Sequence, residues 1–202
     1  MSSTILRASA LAVVAVLALP AAQASADAYT FDKGHTEVRF SWSHFGMSTQ
    51  GARINDVDGT IEFNPADLAK SSLDVVIKTD SIATTNVKFD ENLKSADFFE
   101  SAKFPEIRFK STSVKKIDDK TGEITGDLTI HGVTKPVTLL TRMNFSGPHP
   151  LAAVNPAFKD AEYAAFSATT KIKRSEFGVG KFAPAVSDEI PITIETELKK
   201  KK

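Results

Sequence analysis

Cysteine is absent from all 202 residues, which excludes disulfides, thiol nucleophiles and thiolate metal sites. Net charge is absent too: 25 basic side chains balance 25 acidic ones. A chain without a basic excess does not read as a nucleic-acid binder, because phosphate neutralisation needs a net positive face. No GxSxG, P-loop, GxGxxG or HExxH pattern occurs, and the four histidines, at 35, 44, 131 and 149, have no metal-ligand spacing. Gly178-Val179-Gly180 follows a strand end without the helix that a dinucleotide site requires. Tryptophan occurs once and tyrosine twice, but phenylalanine fourteen times. Burial alone must then stabilise the fold, and phenylalanine supplies large apolar area with no hydrogen bond to satisfy.

Long apolar runs are also missing, with one exception at the start. A cationic opening (Met1 to Arg7), an apolar stretch (Ala8 to Leu19) and small residues at Ala22-Gln23-Ala24 and Ala24-Ser25-Ala26 follow in the order of a cleaved secretory leader. The stretch is short for the ~30 Å of a bilayer core. The expectation is a leader over 1–26, cleaved after Ala24 or Ala26, and one exported, periplasmic domain over 27–202. The lysine run at 199–202 could touch an anionic membrane surface or remain a solvated tail.

What the mature chain does have is period-two alternation. Thr36, Val38, Phe40, Trp42 and His44 share one strand face, and Glu37, Arg39, Ser41 and Ser43 the other. Further strands are expected around 60–64, 73–77, 107–109, 124–130, 137–145, 166–174 and 190–198, seven to nine in all. Turn signals fall at Asp58-Gly59, Asn64-Pro65, Asp118 to Gly122, His131-Gly132 and Ser146-Gly147-Pro148. Short turns without crossover helices point to an all-β antiparallel barrel of about eight strands, or a sandwich. Thr84 to Phe99 is the exception. Its mixed three- and four-residue spacing predicts one or two short helices laid against a barrel end.

Four segments add an identity to this pattern. SADFFESAKFPEIRFKST, GDLTIHGVTKPV, YTFDKGHTEVRFSWSHFGMSTQGAR and KIKRSEFGVG occur in the order that resembles the YceI family of lipid-binding, lipocalin-like barrel proteins. The resemblance spans nearly the whole mature chain. It implies a secreted bacterial protein that holds an isoprenoid-type lipid, such as a polyprenyl phosphate or isoprenoid quinone, inside the barrel. No further cofactor and no established reaction come with it.

Strand alternation cannot decide between a filled barrel and one with room for a ligand. Polar residues on the apolar parity (Thr36, His44 and Ser111) hint at an interior that is not solid core. Following the resemblance, the expected ligand walls are Val38, Phe40, Trp42, Phe63, Phe89, Leu93, Phe98, Phe99, Ile107, Phe109 and Phe177. His44 and Arg174 are expected at a rim, facing the polar end of the amphiphile, although His44 also reads as the residue where its strand leaves the core. His131 reads as structural, beside the glycine of a tight turn. Two alternatives stay open: an enzyme acting on a lipid through His44 and Arg174, and a ligand-free interaction module. A homodimer through an exposed sheet edge is open as well.

Overall fold

Every segment of period-two alternation forms a strand, and three further strands join them. The structure, a computed structural model, describes residues 25–202, so the expected leader lies outside the described residues except for Ser25 and Ala26. Eleven strands follow in order: β1 (Asp27–Phe31), β2 (Glu37–His44), β3 (Ser48–Ile54), β4 (Val57–Phe63), β5 (Ser72–Lys78), β6 (Ile82–Ala83), β7 (Glu106–Lys116), β8 (Thr121–Ile130), β9 (Val133–Pro148), β10 (Glu162–Lys173) and β11 (Glu189–Lys200). Among the described residues one α-helix, α1, spans Val87–Lys94.

The pairings reduce these strands to eight positions around a closed antiparallel barrel. β11 pairs along its length with β10, and its other edge is shared by β2 (Ile192↔Phe40) and β1 (Lys200↔Tyr29). β4 lies between β1 and β5, while β3 lies between β2 and β6. Thus β1/β2, β3/β4 and β5/β6 are three staves, each broken once, and β7 to β11 are five continuous ones. β1, β3 and β6 are the strands that alternation did not reveal. β3 reads STQGARI and offers only Ala52 and Ile54 to the interior, and β6 is two residues long.

Connections leave alternately at the two ends of such a barrel. The β2–β3 hairpin, the β6–β7 excursion carrying α1, the β8–β9 turn and the 174–188 loop share one end, called here the helix end. The 64–71 connection, the β7–β8 hairpin and the 149–161 loop share the other. Asn64 shows how such an exit is built. It is buried, and its side-chain oxygen accepts from the Ala66 and Asp67 amides, turning the chain out of β4 just before Pro65.

The excursion forms one helix rather than two. Asn86 caps α1 by accepting from the Lys88 amide, and Asp90 accepts from both the amide and the hydroxyl of Thr84. After Ser95 the chain turns back on itself: Phe99 N donates to Leu93 O and Ser101 N to Lys94 O. Leu93 is buried, and Phe89 and Phe99 pack on Trp42 and Phe40 with ring centroids 5.7 and 6.0 Å apart. Val87, also on the expected apolar face, is exposed.

Two expected turns are strand. Asp58-Gly59 lies inside β4, and Ser146-Gly147 inside β9. At Gly59 the reason is close approach, since a Cβ there would lie 2.1 Å from the carbonyl oxygen of Asp74 on β5. The expectation that Phe40, Trp42, Phe63 and Phe109 face inwards holds: Trp42, Phe63 and Phe109 are buried, and Phe40 packs against the main core cluster.

Phe109 owes its position to a glycine. The missing side chain of Gly126 on β8 makes room for the Phe109 ring, which would stand 2.5 Å from a Cβ built there. Gly126→Ala should therefore displace the ring and destabilise the fold by about 1–3 kcal/mol, the usual range for overpacking. A thermal melt measures this directly, and an unchanged midpoint would mean that the ring moves freely.

Candidate functional site

Inward residues of all eight staves surround a cavity of about 450 Å³, within the range of sites that hold small molecules. One half of the wall, from β4 through β5 and β7 to β8, is aliphatic and aromatic: Ile61, Leu73, Val75, Ile77, Ile107, Phe109, Ile124 and Leu128 are among its members. The other half, from β9 through β10 and β11 to β2, mixes Val137, Leu139, Ile172, Ile192, Ile194 and Trp42 with four threonines, at 36, 141, 170 and 196. Two of these hydroxyls bond each other, Thr36 to Thr196 at 2.9 Å, and Thr170 donates to Thr138 O at 2.8 Å. Ser111, the other polar residue on an inner parity, accepts from the Leu73 amide and does not line the cavity. The polar groups that hinted at a hollow interior are thus largely bonded within the wall.

Rings gather at the helix end. Phe89, Phe98 and Phe99 line the cavity beside Phe40 and Trp42, and Phe98 lies 6.3 Å from Phe182. Adjacent residues Phe98 and Phe99 both reach the cavity because they sit in a turn, where helical periodicity does not separate them. At the opposite end the wall becomes charged: Lys116, Asp118, Asp119 and Lys120 of the β7–β8 hairpin border the cavity, with Lys116 ion-paired to Asp119 at 2.7 Å.

The structure brings together Val38, Phe40, Trp42, His44, Phe63, Phe89, Leu93, Phe98, Phe99, Ile107, Phe109 and Arg174 around this one space. Phe177 is not among the lining residues. It is 1 % exposed and belongs to the core beneath the 174–188 loop. Two wall residues that sequence reasoning missed, Phe182 and Val186, come from that irregular loop, where no alternation marks an inward side.

Arg174 differs from expectation. Its guanidinium donates to three main-chain carbonyls of its own loop, those of Ser187 (2.9 Å), Val186 (2.7 Å) and Val179. Burial lowers its proton affinity, and the nearby Asp188 carboxylate opposes that shift. One N–H on each nitrogen is committed to closing the loop, so the residue is a clamp rather than a free hand for a head group. His44 does stand at the rim, at the end of β2, half-buried and edge-on to Phe45 with centroids 4.6 Å apart.

The other histidines lie elsewhere. His131 sits in the β8–β9 turn against Phe104, at 4.2 Å, and His149 stacks on Phe158 at 3.7 Å. His35 meets two carboxylates, with Nδ1 3.1 Å from Asp32 Oδ2 and 3.9 Å from Glu197 Oε2. Among the described residues these three form a set whose ligand atoms all lie within 4.8 Å of one another. Spacing could not show this, because Glu197 arrives from the far end of the chain. The Asp32 hydrogen bond, helped by the charges of Asp32 and Glu197, raises the His35 pKa.

A YceI-like domain model matches residues 29–198. The chain belongs to the YceI family. A Pseudomonas putida relative, a UPF0312 protein, is 38% identical over 186 residues, covering 91% of this chain and 92% of its own. The crystal structure of the Campylobacter jejuni YCEI protein superposes with a TM-score of 0.68 at 34% identity, covering 79% of this chain and 90% of that one. A polyisoprenoid binding domain from Saccharophagus degradans shares the fold, with a TM-score of 0.60 at 13% identity over 87% of this chain and 99% of that one.

Two tests follow for this member of the YceI family. Arg174→Lys loses the fork that spans three carbonyls, and should cost about 2–3 kcal/mol of stability. Affinities for a prenyl alcohol and for the same hydrocarbon without its hydroxyl should then fall together; a loss confined to the alcohol would assign Arg174 to the ligand. His35 should titrate above its ordinary value in the folded protein by NMR, and Asp32→Asn should lower it. Because the folded-state value is the raised one, this interaction stabilises the fold fully below the unfolded-state pKa. The contribution vanishes as pH rises through the folded-state pKa.

Proposed function

We propose that the protein holds a long-chain, isoprenoid-type lipid inside its barrel and acts as a carrier or store in the periplasm, without converting its ligand. The observation that carries this reading is the cavity: about 450 Å³ of internal space whose wall is built by aliphatic and aromatic side chains from every stave. An apolar space of this size binds hydrocarbon by excluding water, and the few wall hydroxyls suit an occasional oxygen atom. The fold shared with a domain named for polyisoprenoid binding supports the same ligand class. The export part of the reading rests on the order of charged, apolar and small residues over 1–26.

Burying ~500 Å² of hydrocarbon would contribute on the order of 12 kcal/mol before the losses of association and ordering. What remains corresponds to micromolar to nanomolar retention. Holding rather than catalysis also fits the polar inventory. Arg174 is bonded to its own loop, and the His44 ring is edge-on to Phe45.

Solvent extraction of the protein purified from its native compartment, followed by mass spectrometry, tests the reading. One prenyl-chain lipid per barrel is the expected result. Ala168 is the small side chain on the cavity wall between Phe166 and Thr170, so Ala168→Phe should fill the space and lower lipid occupancy about tenfold or more, equivalent to ~1.4 kcal/mol. Protein that comes out empty and takes up no added prenyl alcohol would overturn the proposal.

A further inference from the structure

Eight large apolar side chains are exposed among the described residues, and only two of them, Phe45 and Phe182, also line the cavity. Each is wall on its inner side and surface on its outer side, at 53% and 54% exposure. They stand in interlocked loops at the helix end. Phe45 N donates to Ala185 O at 2.8 Å, Val186 N donates to Phe182 O at 2.9 Å, and His44 forms a β-bridge with Val186. Met47, two residues on from Phe45, is 76% exposed.

Both phenylalanines also have backbone conformations that bulky side chains avoid, with φ of 53° at Phe45 and 65° at Phe182. Glycine or asparagine would relieve that strain and remove the exposed ring together. Strain and exposure coincide at two rings on one end of the barrel, which points to a partner that covers them. The opposite end of the cavity is bordered by Lys116, Asp118, Asp119 and Lys120, and its exposed apolar side chains, Ile117, Leu151 and Val154, do not line the cavity. Beside Phe182, the Lys181 ammonium lies 5.1 Å from the ring centroid and 2.5 Å from Asp97 Oδ1, an arrangement of aromatic ring and amphipathic cation that suits a membrane interface.

We propose that the Phe45–Met47 hairpin tip and the Phe182 loop dock on a phospholipid bilayer, setting the apolar mouth of the cavity against the acyl-chain boundary. The ligand then passes between bilayer and barrel at that mouth without crossing water. The choice of a bilayer over a protein partner rests on the lipid-holding reading above. A long-chain amphiphile outside a protein resides in membrane, and the docking rings are the same residues that wall its cavity. The partner surface is defined by its chemistry: rings and a thioether insert shallowly, while Lys181 remains at headgroup level.

The experiment is co-sedimentation of the purified protein with phosphatidylethanolamine–phosphatidylglycerol vesicles, with uptake of a fluorescent prenyl alcohol measured separately. Phe45→Asn with Phe182→Asn keeps a residue that tolerates positive φ, and Met47→Ser removes the third apolar tip. Vesicle binding is expected to fall at least tenfold in the combined variant, with melting temperature monitored to confirm folding. As a gain-of-signal measurement, Phe45→Trp and Phe182→Trp should each add emission that shifts to the blue on vesicle addition and is quenched by brominated lipid. Ile117→Trp, in the β7–β8 hairpin, should show neither effect. Protein that takes up the prenyl alcohol but ignores vesicles sinks the docking proposal and leaves the carrier reading intact; protein that binds vesicles through these residues yet takes up no prenyl chain does the reverse. A dimer that Phe45→Asn dissociates, with no vesicle binding, would assign the surface to a second copy and also overturn the proposal.

Discussion

Ring closure at β11 is the constraint on which the rest of the molecule depends. One edge of β11 is satisfied by β10, and the other is divided between β2 and β1, so the sheet returns to its own beginning. Closure satisfies the backbone groups that an open sheet would leave along its edges, and it allows the interior to stay hollow because the wall no longer needs a second layer to cover it. Many inward side chains then serve the wall and the cavity at once. This is why Trp42 and Phe109 are core residues by burial and lining residues by position.

The broken staves have a functional effect as well. Because β6 ends after two residues, β3 has no strand partner on that side beyond Arg53, and the excursion carrying α1 follows, its rings packing on Phe40 and Trp42 of β2. Phe89, Phe98 and Phe99 reach the cavity from this excursion and from the turns behind it, so that rings rather than strands line that end. The 174–188 loop completes the same end, held by the Arg174 guanidinium on three of its carbonyls. A buried cation used in this way fixes loop geometry more specifically than an apolar side chain, since each N–H must meet a particular oxygen.

The two ends of the cavity are chemically different for local reasons. The β7–β8 connection is a short charged hairpin whose Asp118 carboxylate accepts from the Lys120 and Thr121 amides, a turn that draws polar residues to the cavity border. The helix end presents exposed phenylalanines in left-handed conformations. The side chains that border the cavity are therefore charged at one end and aromatic at the other.

The sequence by itself determined the strand class and much of the wall, because a period of two fixes which side chains share a face whatever the strand's neighbours are. Val38, Phe40, Trp42 and His44 were legible in this way, and so was the helical excursion, from its break in period. Tertiary structure alone decided which strands meet, that three staves are each assembled from two strands, and that the interior is hollow, since those facts depend on pairings between distant parts of the chain, as between Tyr29 and Lys200. It also decided the roles of individual residues. Phe177 and Phe182 look alike in sequence, yet one is buried beneath the loop and the other stands at its surface. Arg174 shows the same limit: its charge suited a head group, but three carbonyls brought to it by the fold of the loop claim that charge first.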